Sequence, residues 1–112
     1  MYNGVASECT GMVLCGDQNA FCAGADLLLA KELLNTPEKG VAMSEFMSDA
    51  LNRLRNYIPL VSVSVLSGPA LGGGAEMATA TDYRVMGSSS YVHFVHAKIG
   101  AFHVYLKNAM HL

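Results

Sequence analysis

The sequence predicts an α/β fold, because helical and strand patterns alternate along the chain and glycine-rich turns connect them. The longest helical pattern is followed at once by the clearest strand pattern, and a glycine triplet then leads into another helix. With 112 residues the chain forms one domain at most. A domain of this size buries roughly 65% of the surface that its unfolded chain exposes, so its core is small.

The first predicted elements are a strand and a short helix, with two turns between them. Met12–Cys15 is a short apolar run that predicts a buried strand, and the polar residues Gly16–Asn19 close it. The small residues of Phe21–Asp26 form a second turn. The strong helix formers of Leu27–Leu34 then predict a short helix, with the last residue of that turn as its N-cap.

The longest predicted helix spans residues 37–57. Its start carries an N-cap at Thr36, a proline at the first helical position, Pro37, and an acidic first-turn residue, Glu38. Pro59 ends it. Apolar residues recur at helical spacing and predict one core-facing stripe, made of Met43, Phe46, Met47, Ala50, Leu51, Leu54 and Ile58.

Strands follow this helix. Leu60–Leu66 alternates β-branched with small polar residues and is the clearest strand of the chain. Two further strands are predicted at Asp82–Met86 and Tyr91–Phe94, with the turn Gly87–Ser90 between them. From Lys98 onward the sequence follows no clear pattern.

Charge and composition argue against two classes of partner, nucleic acids and membranes. The net charge is −2, the pI is about 6.0 and the seven basic residues are scattered, which argues against nucleic acid as a partner. No apolar run reaches the roughly 18 residues of a membrane span, and the start lacks the features of a secretory signal. We therefore expect a cytosolic protein without a membrane partner. The cysteines Cys9, Cys15 and Cys22 are odd in number and form no C-x-x-C pair, so we expect reduced thiols.

The most informative run of the chain is Gly68–Glu76, in which a strand ends in a glycine triplet that opens a helix. The first N–H groups of a helix lack intrahelical partners, and glycines let an anionic ligand approach them closely. Glu76 follows Gly73 by three residues, so both lie on one helical face. The pattern predicts an oxyanion site with a carboxylate in the same pocket.

Other interpretations of these residues stay open. A phosphate cradle is disfavoured because no Lys-Ser or Lys-Thr pair follows the triplet, and Met77 stands where a dinucleotide-binding pattern needs glycine. The triplet can also be a purely structural turn, and Glu76 can simply complement the helix dipole. Asp26 is a helix cap rather than a catalyst on the same reasoning. His93 and His96 lie at an odd spacing in an extended segment, on opposite faces, so no metal site is expected.

Two fragments of the sequence together resemble a known family. They are Ala23-Gly24-Ala25-Asp26-Leu27 and, later, Gly68-Pro69-Ala70-Leu71-Gly72-Gly73-Gly74-Ala75-Glu76, which is followed by Asp82-Tyr83-Arg84. Over about residues 10–100 the chain resembles the crotonase (enoyl-CoA hydratase/isomerase) superfamily. The resemblance implies a partial crotonase-like ββα spiral fold, with only the N-terminal catalytic core present in a single partial domain over residues 1–112.

The resemblance also implies a site. The backbone N–H groups of Ala25 and Gly73 would form the oxyanion hole that binds the thioester carbonyl of an acyl-CoA substrate. No separate cofactor is implied, since coenzyme A is part of the substrate. The residues implied to line the acyl-CoA groove are Ala23, Asp26, Leu27 and Gly72.

One position departs from the pattern of the hydratases. Glu76 falls on the first of their two catalytic carboxylates, whereas the second, four residues before Gly100, is His96 here. Hydration needs two carboxylates around a water, so this departure favours another reaction. With Phe94-Val95-His96 the chain is most similar to the superfamily members that decarboxylate ethylmalonyl-CoA and methylmalonyl-CoA. In that reaction Glu76 or His96 would orient the departing carboxylate or reprotonate the enolate carbon.

Two alternatives remain beside decarboxylation: a hydratase or isomerase, and a catalytically silent fragment. Family domains are about twice as long, and after Gly100 they continue with a proline- and glycine-rich turn that residues 101–112 lack. Residues 1–7 stand in place of the first strands of the family. We therefore expect a fragment with a divergent tail, which exposes strand edges and much of the apolar helix stripe and can form homo-oligomers through crotonase-type contacts.

Overall fold

The computed structural model describes residues 9–56 and 59–95. Helices and strands alternate along this part of the chain, which confirms the α/β class. In chain order the elements are β1 Gly11–Cys15, α1 Leu27–Leu33, α2 Pro37–Asn56, β2 Val61–Leu66, β3 Ala70–Leu71, α3 Gly73–Ala80, β4 Tyr83–Met86 and β5 Val92–His93. Within these residues no helix combines the length and the apolar character that a membrane span requires.

Two small parallel sheets organise the described chain. The first has the order β1-β2-β4, and Val63 of the central strand lies between Val13 and Tyr83. The second pairs β3 with β5, so that Leu71 lies beside His93. Parallel neighbours require crossover connections, which α1 and α2 provide between β1 and β2, and α3 provides between β2 and β4.

The helix starts agree with the predicted caps. The Asp26 carboxylate accepts hydrogen bonds from the N–H groups of Leu28 and Leu29, both at 2.9 Å. The Thr36 hydroxyl accepts one from the Lys39 N–H at 3.3 Å, one residue before α2 begins. These bonds satisfy donors that an α-helix leaves open at its first turn, so both helices begin where the sequence predicts.

The burial pattern of β2 is the reverse of the usual one, in which apolar residues face the core and polar residues face the solvent. Ser62 and Ser64 are buried, with 3% and 0% exposure, whereas Val61 is 54% exposed. On this face the C-terminal end of α3 contacts β2: Thr81 hydrogen-bonds to Ser64, and Ala78 packs in one cluster with Leu66. Both buried serine hydroxyls are hydrogen-bonded: the Ser62 hydroxyl donates to the Asp82 carboxylate, and the Ser64 hydroxyl accepts from the Thr81 hydroxyl.

A hydroxyl network holds the end of α3 against β2. The Thr81 hydroxyl lies 2.9 Å from the Ser64 hydroxyl and 3.0 Å from the carbonyl oxygen of Ala78, and both hydroxyl-bearing residues are buried. The Arg84 guanidinium donates to the carbonyl oxygen of Thr81 at 2.9 Å. A cation at a helix C-terminus complements the helix dipole, so this end of α3 is fixed by both charge and hydrogen bonds.

The valine face of the sheet is exposed within the described chain. Val13 of β1 is 66% exposed, and Tyr83 and Val85 of β4 are also exposed. The prediction that β1 is a buried strand is therefore wrong, because within residues 9–56 and 59–95 β1 pairs only with β2 and no helix covers this face. Parallel strands normally have both faces covered, which makes this apolar surface unusual.

The apolar stripe of α2 is only partly buried. Leu51 is buried and packs against Ala80 of α3, with Leu54 alongside. Phe46, in contrast, is 70% exposed. The prediction that the whole stripe forms core is wrong, whereas the expected exposure of much of that stripe is confirmed. Residues 57 and 58, which include the last member of the stripe, lie outside the described residues.

The junction of β2 and β4 contains a carboxylate that makes stability depend on pH. Oδ2 of Asp82 accepts hydrogen bonds from the backbone N–H and the hydroxyl of Ser62, both at 2.7 Å. These hydrogen bonds lower the pKa of Asp82 below its ordinary value in the folded chain. A lowered folded pKa adds stability above the unfolded pKa, at about pH 4, and this contribution is lost as the pH falls through the folded pKa.

We therefore expect Asp82→Asn to lower the melting temperature at neutral pH and to lose this effect on acidification. The measurement is a series of thermal melts of both proteins from about pH 7 to about pH 3. Asp17 also has a lowered pKa and contributes to the pH slope of both proteins, so the difference between them isolates Asp82. Asp49→Asn, on the exposed side of α2, is the control. A difference that stays constant across this pH range would contradict the assignment.

Candidate active site

The start of α3 is shaped by one glycine. Gly72 is the N-cap residue, with φ 54° and ψ −120°, a backbone conformation that residues with a Cβ rarely adopt. Its N–H donates to the carbonyl oxygen of His93 at 2.9 Å, and its carbonyl oxygen accepts from the N–H groups of Ala75 and Glu76. The helix therefore begins inside the glycine triplet, as the sequence predicts, and its first residue is Gly73.

A second glycine turn lies against the first. Gly24 has φ 98°, and it directly precedes Ala25. A Cβ atom built on Gly24 would lie 3.1 Å from the carbonyl oxygen of Leu71 and 4.0 Å from the backbone nitrogen of Gly73. The two turns, which are almost 50 residues apart in sequence, are thus in contact at the start of α3.

Hydrogen bonds between the two segments maintain this contact. The carbonyl oxygen of Pro69 accepts from the N–H groups of Phe21 and Cys22 at 3.0 and 3.3 Å, and the Leu71 N–H donates to the carbonyl oxygen of Cys22 at 2.9 Å. Gly74 packs so closely on this segment that a Cβ atom there would lie 2.6 Å from Cβ of Cys22. Backbone contacts, rather than long side chains, therefore set the position of one turn relative to the other.

Two N–H groups at this junction are available to a ligand. Among the described residues, none accepts a hydrogen bond from the N–H of Ala25 or of Gly73. Ala25 is exposed and Gly73 is half-buried, so an incoming carbonyl oxygen has access to the junction. Paired backbone donors at a helix start are suited to stabilise an oxygen that gains negative charge during a reaction.

Glu76 lies in the first turn of α3, where only 9% of it is exposed. The three-residue offset places it on the same helical face as Gly73, as predicted. The positive end of the helix dipole stabilises its carboxylate there. The structure therefore brings a backbone donor and a buried acid to the same end of one short helix.

The other predicted site residues have differing surroundings. Ala23 and Asp26 are exposed, and Leu27 is 84% exposed. The Asp26 carboxylate is engaged as the cap of α1, in agreement with the structural interpretation of that residue. His96 lies outside the described residues. Within residues 9–56 and 59–95, no three His, Cys, Asp or Glu side chains lie close enough together to hold a metal ion.

Sequence reasoning missed two contributors to the site. Position 24 requires glycine because its φ is positive and because it lies against the second turn. The sequence signal for this role is its place inside Ala23–Asp26. His93 contributes its carbonyl oxygen to the positioning of Gly72. That contact joins residues 21 positions apart through β3, a two-residue strand without a recognisable sequence pattern of its own.

The sequence matches the enoyl-CoA hydratase/isomerase family over residues 5–110. It is 46% identical over 94 residues to ethylmalonyl-CoA decarboxylase of Mus musculus, covering 84% of this chain and 29% of that protein. The Homo sapiens protein of the same name is 44% identical over 94 residues, with 84% of this chain and 30% of that protein covered. The chain therefore spans less than a third of the length of these relatives.

Solved structures of this family resemble the fold of the chain. An enoyl-CoA hydratase/carnitine racemase from Magnetospirillum magneticum superposes with a TM-score of 0.78 at 29% identity, covering 88% of this chain and 38% of that one. An enoyl-CoA hydratase from Thermoplasma volcanium superposes with a TM-score of 0.70 at 25% identity, covering 80% and 35%. The described fold is thus a part of the crotonase fold, and the chain belongs to the enoyl-CoA hydratase/isomerase, or crotonase, family.

Proposed function

We propose that this protein acts as an acyl-CoA decarboxylase on ethylmalonyl-CoA and methylmalonyl-CoA. The observation that carries the proposal is the pair of N–H groups, on Ala25 and Gly73, that have no partner within the described chain and lie on two glycine turns in contact. The similarity to proteins named ethylmalonyl-CoA decarboxylase supports the choice of substrate. The substrate itself brings coenzyme A, and the proposal requires no separate cofactor.

The proposed reaction breaks the bond between C2 of the acyl group and its free carboxylate. The electron pair of that bond moves into the thioester, CO2 leaves, and the thioester oxygen gains the negative charge of an enolate. The Ala25 and Gly73 N–H groups donate to that oxygen, and one such donor is typically worth about a hundred- to a thousandfold in rate. A proton then adds to C2 and gives the shortened acyl-CoA.

Glu76 and His96 are the groups proposed to handle the carboxylate and the proton. Glu76 is buried beside the donor turn, and either Glu76 or His96 is proposed to orient the departing carboxylate or to reprotonate C2. His96 takes the position of the second carboxylate of the hydratases. The proposed groove residues are Ala23, Asp26, Leu27 and Gly72. We further propose a cytosolic protein that can form homo-oligomers through crotonase-type contacts.

The test is CO2 release from ethylmalonyl-CoA by the purified 112-residue chain, with a thermal melt of the same sample. We expect a cooperative melt and saturable CO2 release, with no hydration of crotonyl-CoA. The two variants to measure are Glu76→Gln and His96→Ala. The variant that lacks the group that moves the proton is expected to reduce turnover about a hundredfold or more.

Three outcomes would contradict the proposal in different ways. Hydration of crotonyl-CoA without CO2 release would favour the hydratase alternative. A chain that is molten and releases no CO2 would favour the catalytically silent fragment, as would a chain that melts cooperatively and releases none. Wild-type turnover by the His96→Ala variant would show that His96 takes no part in the reaction.

A further inference from the structure

A short loop of residues 16–20, the Asp17 loop, precedes the segment that carries the proposed donor Ala25. Oδ1 of Asp17 accepts hydrogen bonds from the N–H groups of Asn19 at 2.8 Å and of Ala20 at 3.0 Å. These two hydrogen bonds lower the pKa of Asp17 below its ordinary value, so its side chain is an ionised acceptor at neutral pH. The Asp17 carboxylate therefore fixes the backbone of this loop.

The Asp17 loop also lies against the end of β2, from which the chain continues to the other proposed donor. The Ser67 hydroxyl donates to the carbonyl oxygen of Asp17 at 2.7 Å. Gly68 packs so closely on the loop that a Cβ atom there would overlap the carbonyl oxygen of Asn19 and would lie 3.1 Å from Cα of Ala20. The loop is thus held on residues 67 and 68 by one hydrogen bond and by direct backbone contact.

From this contact, two short segments lead to the two donor turns. The loop continues directly into Phe21 and Cys22, whose N–H groups donate to the carbonyl oxygen of Pro69. The proposed donors Ala25 and Gly73 lie only three residues beyond Cys22 and four residues beyond Pro69. A shift of the loop on residues 67 and 68 is therefore transmitted to both N–H groups over a few residues.

We propose that Asp17 is a positioning residue for the reaction: by holding the Asp17 loop against Ser67, it sets the separation of the two donor N–H groups. This inference rests on the proposed function of those donors, Ala25 and Gly73, as an oxyanion hole. Such donors act on an oxygen whose negative charge grows toward the enolate, so their misplacement weakens transition-state binding more than substrate binding. Loss of the Asp17 contacts therefore lowers kcat with little change in KM.

The test compares the wild-type 112-residue chain with Asp17→Ala, which removes the acceptor, and Asp17→Asn, which keeps a side-chain oxygen for the same N–H groups. We expect Asp17→Ala to lower kcat for CO2 release from ethylmalonyl-CoA about tenfold, with KM within about twofold. Asp17→Asn should keep kcat within about threefold of the wild-type value. Ser67→Ala, which keeps the carboxylate but removes the hydrogen bond from residue 67, should also lower kcat, and it serves if Asp17→Ala does not melt cooperatively.

Asp82→Ala is the matched control for a loss of stability alone. The Asp82 carboxylate also accepts a backbone N–H and a second hydrogen bond, but it follows the end of α3 that lies opposite the donors. With all assays run below the melting transitions, Asp82→Ala should melt at a lower temperature and keep the wild-type kcat. Equal kcat losses in Asp17→Ala and Asp82→Ala would overturn the inference, as would wild-type kcat in Asp17→Ala or an Asp17→Asn variant as slow as Asp17→Ala.

The infrared C=O stretch of bound butyryl-CoA separates this inference from the proposed reaction. Hydrogen bonds to the thioester oxygen lower that frequency whether or not CO2 is released. The wild-type chain should lower it on binding, and Asp17→Ala should lose most of this shift. A wild-type chain that shows the shift but releases no CO2 would contradict the proposed function, and the shift alone would then decide the role of Asp17. No shift in the wild-type chain, or an equal shift in Asp17→Ala, would overturn the inference.

Discussion

Replacing Gly74 by alanine is expected to lower the melting temperature by about 5 to 20 °C and to reduce CO2 release strongly. The added Cβ would lie 2.6 Å from Cβ of Cys22 and would also clash with the Cys22 carbonyl oxygen. Overpacking of this kind typically costs about 1 to 3 kcal/mol. The backbone of Cys22 is hydrogen-bonded to the segment that leads into α3. Relief of the clash therefore also moves the two donor turns apart.

The neighbouring glycine provides the matched control for stability. A Cβ atom on Gly73 would meet only the end of the Met47 side chain, at 3.8 Å, which is an ordinary contact. Gly73→Ala should therefore melt at or slightly above the wild-type temperature, since alanine favours a helix over glycine. Equal melting temperatures for Gly74→Ala and Gly73→Ala would show that the close contact with Cys22 does not hold the turns.

Local signals explain why the elements and one half of the site were predictable. Thr36 and Pro37 specify the start of α2, and the glycine triplet specifies the start of α3. Each signal acts over a single helical turn, which a sequence displays directly. The N-terminus of α3 and the position of Glu76 on its face therefore followed from the residues alone.

The contact between the two turns was not predictable from local patterns. It depends on hydrogen bonds from Phe21 and Cys22 to Pro69, which join segments almost 50 residues apart. Only the resemblance to a family paired Ala25 with Gly73. The identity of that pair as an oxyanion hole stays a prediction, as does the role of His96, which lies outside the described residues.

Burial was the least predictable property. The alternation in β2 identifies a strand but not its covered face, and here Ser64 rather than Val63 faces the helix. The buried serine hydroxyls hydrogen-bond to Asp82 and Thr81, which lie about 20 residues further along the chain, so no local pattern displays these partners. The exposure of Val13 likewise depends on which elements cover the sheet, and a local apolar run carries no information about that.

The second large effect concerns the donor itself. Replacing the amide between Gly72 and Gly73 by an ester removes the Gly73 N–H and introduces no side chain. Removal of one oxyanion-hole donor lowers turnover by about a hundred- to a thousandfold. The ester also weakens the Gly72 carbonyl oxygen, which accepts from two N–H groups at the helix start, so a control must weaken an acceptor elsewhere.

An ester at Ser88 is that control. Ser88 is exposed, and no described residue accepts a hydrogen bond from its N–H. The preceding carbonyl oxygen, of Gly87, accepts from the Ser90 N–H at 3.0 Å, so this ester also weakens one acceptor. Both ester proteins should melt cooperatively, and the Ser88 ester should release CO2 at close to the wild-type rate.

The most direct test of the proposed oxyanion hole is the rate of CO2 release from ethylmalonyl-CoA by the Gly73 ester protein, relative to the Ser88 ester protein. A turnover number about a hundred- to a thousandfold lower, in a protein that still melts cooperatively, is the predicted result. Equal turnover numbers for the two ester proteins would contradict the account, because the Gly73 N–H would then contribute nothing to the reaction.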